Sequence, residues 1–484
     1  MKARMMKKAI ILSVITVFTT IFTLAQNPKR EFRGAWLHTV WQMQYRQQTT
    51  GQNKAYLCRQ LDSLKAVGVN AVIFQVRPQA DAFYDSKYEP WSRFLTENGN
   101  APVPYWDPLE FVITEAHARG MELHAWLNPY RVTTSAKQTL PKNHIYHKYP
   151  RRFIRYDGKL YFDPGQPENR AFIGKVVDDI VSRYDIDGIH FDDYFYPYPV
   201  AGKRFADDSS FAKYGKGMTI GDWRRHNVDL LIEDIHNRIK ARKPWVRFGV
   251  SPFGIWRNKK TDPRGSDTSG LQNYDALYAD VLLWEEKGWV DYLIPQLYWE
   301  LDHKAAGYLV LVDWWNRNAG KNRHLFIGQD VSRTMGENGL EKKIAMARNA
   351  PNITGNCWWP GYSLTRNEKG VADSLMTRYQ YHPAIAPSCP WISDTAPQPV
   401  ERLKLSTRRI EWEPAPQRGE TSDIVRYAVY RFDCIDEIDI DNGEALVDII
   451  SVPSFEAKET GVYVITALDR INNESDASFP VIVK

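Results

Sequence analysis

The chain has 484 residues, with 63 Lys and Arg against 58 Asp and Glu, a formal charge of +5. That length suits one large domain and a small one. Four of the positives, Lys2, Arg4, Lys7 and Lys8, precede an apolar stretch over residues 9–22 broken only by Ser and Thr. Without these four positives the charge falls from +5 to +1, so bulk charge gives no support to a nucleic-acid or anionic-surface partner.

The N-terminal pattern reads as an export signal over residues 1–25, with Thr23-Leu-Ala25 as the cleavage site before Gln26. No cysteine follows directly, so a lipoprotein anchor is not expected. No later apolar run approaches membrane-spanning length, so no stable membrane insertion is expected after cleavage. The expected location is the periplasm, the cell surface or the medium. Cys58, Cys357, Cys389 and Cys434 show no metal-ligand spacing. Cys389 and Cys434 are the pair available for a disulfide in an oxidising compartment; scattered buried thiols are the plainer reading. The 17 Trp and 26 Tyr concentrate at predicted strand ends, where aromatic faces stack on sugar C–H surfaces or simply form core.

From residue 32 onward, short apolar strands alternate with helical patterns. Strands are predicted over 32–38, 71–77, 122–128, 187–192, 247–253, 291–299, 324–330 and 355–360. Helices are predicted over 54–67, 108–119, 168–184, 223–242, 274–287, 304–318 and 340–348, with a last one ending near residue 379. A long loop over 79–106 follows the second strand and is too aromatic to read as disorder, and another long insertion after the third strand reaches Tyr161-Phe-Asp-Pro-Gly165. Eight strands alternating with eight helices close as a (β/α)8 TIM barrel over residues 30–381.

Residues 382–399 are rich in Pro, lack periodicity and read as a linker. Beyond them short alternating strands are predicted over 400–405, 409–412, 424–432, 445–448 and 461–469. With Trp412, Tyr427 and Tyr463 in that pattern, residues 400–484 look like a fibronectin type III sandwich, read as a spacer or interface module.

A barrel gathers the polar residues at the C-terminal ends of its strands into one bowl. In chain order these are Arg77, Asn128, Tyr130, Arg131, Asp192, Asp193, Ser251, Gln296, Tyr298, Glu300, Asp330, Trp358 and Trp359. The central stretch is Asp187-Gly-Ile-His-Phe-Asp-Asp-Tyr-Phe-Tyr-Pro197. Strand periodicity puts His190, Asp192 and Tyr194 on one face and Asp193 on the other, or already in the loop. Paired carboxylates among aromatic platforms are what glycosidic cleavage requires: an acid for the leaving oxygen and a carboxylate to attack or to activate water. Asp192 is the candidate nucleophile or general base; Asp193, Glu300, Asp330 and Asp81 are rival proton donors. Substrate-binding candidates are Arg77, Asp81, Asn128, Tyr130, Arg131, His190, Tyr194, Gln296, Tyr298, Trp358 and Trp359. No HxH or HExxH pair, GxSxG elbow or P-loop occurs, so neither a metal nor a cofactor is expected.

Several stretches resemble the glycosyl hydrolase-like 10 family: Phe32-Arg-Gly-Ala-Trp36, Phe74-Gln-Val-Arg-Pro-x-x-Asp-Ala-Phe-Tyr84, Tyr88-Glu-Pro-Trp91, His124-Ala-Trp-Leu-Asn-Pro-Tyr-Arg131, Asp163-Pro-Gly165, the stretch around Asp192, and Pro295-Gln-Leu-Tyr-Trp299. The resemblance implies a barrel of the bacterial, mostly exported, glycoside hydrolases, with members linked to peptidoglycan glycan strands. Strand four also resembles the α-amylase group, where the residue matching Asp192 is the nucleophile; His190 stands where that pattern has Arg. A likeness to chitinase-like barrels would put the acid at Tyr194, which is no substitute for a Glu donor. The expected function is therefore an exported glycoside hydrolase acting on a cell-wall or related amino-sugar glycan. The alternatives are an inactive carbohydrate-binding surface protein or a glycosidase for dietary or host polysaccharide. Oligomeric state has no sequence signal.

Overall fold

The computed structural model describes residues 27–414 and 423–484; the expected export signal lies outside the described residues. Eight strands form a closed barrel: β1 (Phe32–Leu37), β2 (Ala71–Arg77), β3 (Glu122–Leu127), β4 (Gly188–Phe191), β5 (Arg247–Val250), β6 (Tyr292–Leu293), β7 (His324–Asp330) and β8 (Ile353–Trp359). Each pairs in parallel with its sequence neighbours, and β1 closes the ring on β8 with Phe32 opposite Gly355 and Ala35 opposite Trp358. This is the TIM barrel expected from the alternation.

The side-chain period of two divides each strand between lumen and helix layer. Phe32, Trp36, Ile73, Trp126, Tyr292, Phe326 and Cys357 fill the lumen as one apolar cluster. Their neighbours Ala35, Val72, Phe74, Leu123, Ile189, Phe248 and Leu325 belong to the larger core between strands and helices. The surrounding helices start where their caps dictate. Thr49 and Gln52 form a capping box for Thr50–Ala66, and Asp107 accepts from Leu109 N and Glu110 N to start Pro108–Ala118.

Three elements differ from expectation. The helix predicted over 274–287 is broken at Tyr278, in the left-handed region at φ 56°, leaving a turn over Asn273–Leu277 and a helix Val281–Glu286. Strand six is regular only over Tyr292–Leu293; beyond it Gln296 makes single bridges to Phe253 and Gly328 before the chain turns outward. The last helix is split into Gly361–Thr365, Val371–Ser374 and Leu375–Tyr379, with Asn367 and Lys369 at positive φ between the first two. Among the described residues no helix is long and apolar enough to cross a membrane.

The C-terminal region forms two antiparallel sheets. One joins β9 (Glu401–Ser406), β10 (Arg409–Glu413) and β13 (Ser454–Glu456). The other joins β11 (Ile424–Phe432), β12 (Leu446–Ile450), β14 (Gly461–Asp469) and β15 (Val481–Val483). Alternate residues of β11 serve two cores. Tyr427 and Val429 meet Ile410 and Trp412 of the first sheet, while Ala428 and Tyr430 join a cluster that contains Ile385 of the preceding segment. That segment, expected to be a linker, lies against the barrel: Ile385 exchanges backbone hydrogen bonds with Lys29 and Glu31, and Cys389 is buried. Cys389 and the exposed Cys434 are both free thiols.

At the N-terminal end of β4, Asp187 accepts from Leu123 N at 2.7 Å and from His117 Nε2 at 2.8 Å. Burial opposes its charge, but His117 outweighs burial and holds the carboxyl at about 2; burial likewise opposes the His117 charge, and Asp187 raises it on balance. A depressed carboxyl stabilises the fold above its unfolded value near 4 and loses that contribution as pH falls towards 2. A raised imidazole contributes fully below about pH 6.5 and loses it as pH rises through its folded value. Asp187→Ala should therefore cost about 2–3 kcal/mol between about pH 4.5 and 6.5, read by denaturant unfolding, and the difference from wild type should shrink towards pH 2.

Candidate active site

The lumen opens at the C-terminal end of the strands into a pocket of about 400 Å³. Seven of the eight strand exits line it: Trp36 of β1 with His38 and Trp41 beyond it, Gln75 from β2, Trp126 and Arg131 from β3, Asp192, Asp193 and Tyr194 from β4, Ser251 from β5, Gln296 and Tyr298 from β6, and Trp359 from β8. The walls are aromatic. Trp126 and Trp359 meet edge to face at 6.1 Å, Trp36 and Tyr298 at 6.5 Å, and His38 lies 4.8 Å from Trp359. Trp41 and Tyr194 stand exposed at the rim. Apolar ring faces around a few convergent polar groups are the usual make-up of a small-molecule or sugar site.

Asp192 is buried and receives three side-chain contacts at 3.1 Å: Trp126 Nε1 donates to Oδ2 and the Asn128 amide donates to both oxygens. The Asn128 carbonyl oxygen accepts from Arg131 N at 2.9 Å, which fixes which end of the amide faces the carboxylate. Burial pushes the Asp192 carboxyl up to about 6, against the pull of the Arg131 guanidinium, with Asp193 adding to the rise. Arg131 itself donates through Nε and Nη2 to the Pro78 carbonyl and stacks 5.1 Å from the Tyr194 ring.

Asp193 also lines the pocket, from the loop rather than from the opposite face of the strand, the second of the two placements expected for it. Regular strand ends at Phe191, so the alternation no longer governs residue 193. Its Oδ1 accepts from Gln296 Nε2 at 3.0 Å and its Oδ2 from the Tyr198 hydroxyl. Burial raises its carboxyl as well.

Other expected site residues lie elsewhere. Glu300 lies past the outward turn after β6, where its carbonyl accepts from Tyr308 N at 3.0 Å, and it does not line the pocket. Asp330 caps the helix Val331–Gly336 by accepting from Arg333 N at 2.8 Å, a structural role at a strand exit. Asp81 lines a separate cavity with Gln79 and Arg93 and accepts from both, at 2.9 and 3.2 Å; burial raises its carboxyl to about 6. Arg77 is fully buried in a two-pronged pair with Glu89, 2.6 Å on each prong, and also donates to the Asn128 and Pro129 carbonyls, so it braces two loops. Tyr130 is fully buried in the helix-layer core. Trp358 falls on the outward side of β8 while its neighbour Trp359 faces in, as a period of two requires. His190 is inward, but lies buried beneath the pocket. Asn128, Arg131, Tyr194, Gln296 and Tyr298 are where the strand ends predict them.

Trp36, His38, Trp41, Gln75 and Trp126 were absent from the expected set. For Trp36, His38 and Trp126 the signal was available, because they share the inward parity of His190 and Asp192 on their own strands. Gln75 does too, and its Oε1 accepts from Thr39 N and Val40 N at 3.0 and 2.9 Å, holding the β1 exit in place. Among the described residues no group of three or more His, Cys, Asp or Glu side chains is placed to hold a metal ion.

Comparison with known proteins places the chain among glycoside hydrolases. The chain is 37% identical over 494 residues to the glycosyl hydrolase YngK of Bacillus subtilis strain 168, covering 96% of this chain and 95% of that protein. It is 41% identical over 317 residues to the glycosyl hydrolase DigH of Escherichia coli K12, covering 60% of this chain and 70% of that one. Among solved structures, the glycoside hydrolase domain of PgaB (BpsB) from Bordetella bronchiseptica aligns over 72% of this chain and 99% of its own, with 12% identity and a TM-score of 0.46. Residues 31–344 match the glycosyl hydrolase-like 10 family, and the chain belongs to that family of glycoside hydrolases.

Proposed function

We propose that this protein cleaves O-glycosidic bonds of a bacterial cell-wall or related amino-sugar glycan, with Asp192 as the general base and Asp193 as the proton donor. The observation that carries the reading is the acid content of the pocket. Among the described residues that line it, Asp192 and Asp193 are the two carboxylates, and both issue from one strand end. Displacement at a sugar carbon needs acid on one side of the bond and base or nucleophile on the other. Two consecutive residues are poorly placed to take opposite faces. An amino sugar resolves the difficulty, because its own 2-acetamido oxygen can attack from the far face in a substrate-assisted reaction. Asp192 then accepts the acetamido N–H while its charge stabilises the cation that develops, and Asp193 protonates the leaving oxygen; water then attacks C1, opens the cyclic intermediate and returns a proton to Asp193. Trp36, Trp126, Tyr298 and Trp359 supply the faces on which sugar rings stack.

The donors around Asp192 favour its ionised form, which suits a base. Those on Asp193 come from an amide and a phenol, and Tyr198 can reorient as Asp193 alternates between acid and conjugate base. The basic N-terminus with its apolar stretch supports export, and with it access to envelope glycans. The three- and four-stranded C-terminal sheets are read as a fibronectin type III-like domain following a barrel over residues 30–381.

Asp192→Asn and Asp193→Asn should each lower kcat by about 10²–10⁴-fold while circular dichroism stays that of the wild type. Wild-type kcat/KM should fall below about pH 6 as Asp192 takes up its proton, and Asp192→Asn should abolish this acidic limb. Because a raised carboxyl opposes folding once it ionises, Asp192→Asn should also gain up to about 2 kcal/mol of stability at pH 7, a gain that vanishes below about pH 4. Incubation with peptide-stripped peptidoglycan, and with plant and host glycans, followed by assay for new reducing ends, tests the substrate class. Release from an N-acetylated glycan that slows sharply on N-trifluoroacetylation is the expected result. Binding without release would instead make the barrel a carbohydrate-binding module.

A further inference from the structure

Beneath the pocket a continuous column of buried polar groups runs down the barrel axis to the C-terminal sandwich. At its lower end is Glu122, on the N-terminal rim of β3. Its Oε2 is 2.7 Å from Arg247 Nη2, and its Oε1 accepts from Asn472 Nδ2 at 2.8 Å and Arg426 Nη2 at 3.4 Å. Arg426 and Asn472 belong to the sandwich and bond to each other at 2.8 Å. Above Glu122 the chain of contacts continues through His124 Nε2 at 3.3 Å, from His124 Nδ1 to the Tyr292 hydroxyl at 2.7 Å, and from that hydroxyl to His190 Nδ1 at 3.1 Å. His190 Nε2 meets Trp36 Nε1 at 3.2 Å and Ser251 Oγ at 3.0 Å, and both of these residues line the pocket.

The two ends give the column a direction. An indole N–H only donates, so His190 Nε2 must accept and the ring proton must sit on Nδ1. The Tyr292 oxygen then accepts from His190, and its hydroxyl proton goes to His124 Nδ1. That leaves the His124 proton on Nε2, aimed at the Glu122 carboxylate, which only accepts. Each group in the chain thereby has one assigned role, and each imidazole is neutral with one tautomer. Burial, which holds both imidazoles below their usual range, agrees with neutrality. Room for the rings comes from glycine. A Cβ at Gly188 would come within 2.7 Å of the His124 ring, and one at Gly249 would overlap the Tyr292 ring. At the top, the Ser251 carbonyl accepts from Gln296 Nε2 at 2.9 Å, and the same amide donates to Asp193.

We propose that this column makes the C-terminal sandwich a positioning element for the pocket: Asn472 and Arg426 fix Glu122, and through His124 and Tyr292 they hold His190 in the Nδ1–H form that orients Trp36 and Ser251. The effect on catalysis rests on the pocket being the reaction site; the tautomers and the Trp36 orientation do not. Networks of this kind rigidify a site because each bond depends on the direction of the next. Neither His124 nor His190 touches substrate in this account. Both are positioning residues, and the remote end of the device lies in another sheet system.

The test uses the full chain labelled with ¹⁵N in His and Trp, with ring signals assigned from His124→Gln and His190→Gln variants. Long-range ¹⁵N–¹H spectra should show His190 as Nδ1–H and His124 as Nε2–H, both neutral from pH 5 to 8. Tyr292→Phe, which keeps the ring and its volume, should convert both to tautomer mixtures and shift the Trp36 indole N–H. Asn472→Ala, at the far end, should shift the same indole signal. On whichever glycan the wild type cleaves, both variants should lose about tenfold or more in kcat with KM within about twofold. His190 carrying its proton on Nε2, or on both nitrogens, would overturn the proposal. So would Tyr292→Phe and Asn472→Ala variants whose melting temperature falls while ring signals, indole signal and kcat stay put, since the column would then serve stability alone. If no glycan is cleaved by the wild type, the reading of the pocket fails, and the ring and indole spectra still decide the column.

Discussion

Closing eight parallel strands on themselves sends every second side chain into a lumen without bulk water, and a polar group there must find its partner within the ring. That constraint organises this protein. Below, it forces Glu122, His124, Tyr292 and His190 into a chain in which each donor has one acceptor. Above, it leaves Asp192 surrounded by an indole N–H and an amide, with its charge poorly solvated. Apolar rings fill what remains of the lumen.

A carboxylate buried in the wall of a pocket is a liability to the fold. Burial raises Asp192 and Asp193 above the ordinary carboxylate range, so both hold protons more tightly than they would in the unfolded chain. The fold bears this cost because other buried charges are better matched. Arg77 with Glu89 clamps the loops after β2 and β3, and Asp187 with His117 secures the foot of β4. Acids at a strand's foot are paired with cations, whereas acids at its mouth are met by neutral donors. The same strand thus has a carboxyl held below the ordinary range at its foot and one held above it at its mouth, and the difference lies in what each faces.

The C-terminal sheets are joined to this arrangement by specific contacts. One face of the four-stranded sheet packs on the three-stranded sheet and the other on Ile385, and Arg426 and Asn472 reach the barrel floor. The Pro-rich segment between them has no periodic pattern because its backbone pairs with isolated partners, Lys29 and Glu31, rather than with a ladder. A segment of that composition reads as a spacer although here it is packed. Composition reports that a segment forms no regular element, and it does not report whether neighbours cover it.

The barrel was legible in the sequence because its signal is repetitive. Eight apolar strands alternate with eight amphipathic patterns, and glycine stops and caps mark most boundaries within a few residues. The inward placement of His190, Asp192 and Trp359 follows from a period of two, and the same rule, applied to every strand, would have added Trp36, Gln75 and Trp126. Where regular pairing stops, that rule loses its force, which is why Asp193 turned inward and Glu300 left the pocket; Asp330 is still paired in β7, and its side chain is taken up as the cap of the helix that follows. Tertiary structure alone decided which inward polar groups meet. The Glu122–His124–Tyr292–His190 column joins three strands, and its lower end joins a sheet some 300 residues away, as the Arg426 contact to Glu122 spans 304 positions. Sequence periodicity specifies the face of a strand on which a side chain stands, because that is local geometry. Its partner across the lumen is set by the register of ring closure and by the volume that Gly188 and Gly249 leave open, and these exist only once the ring has closed.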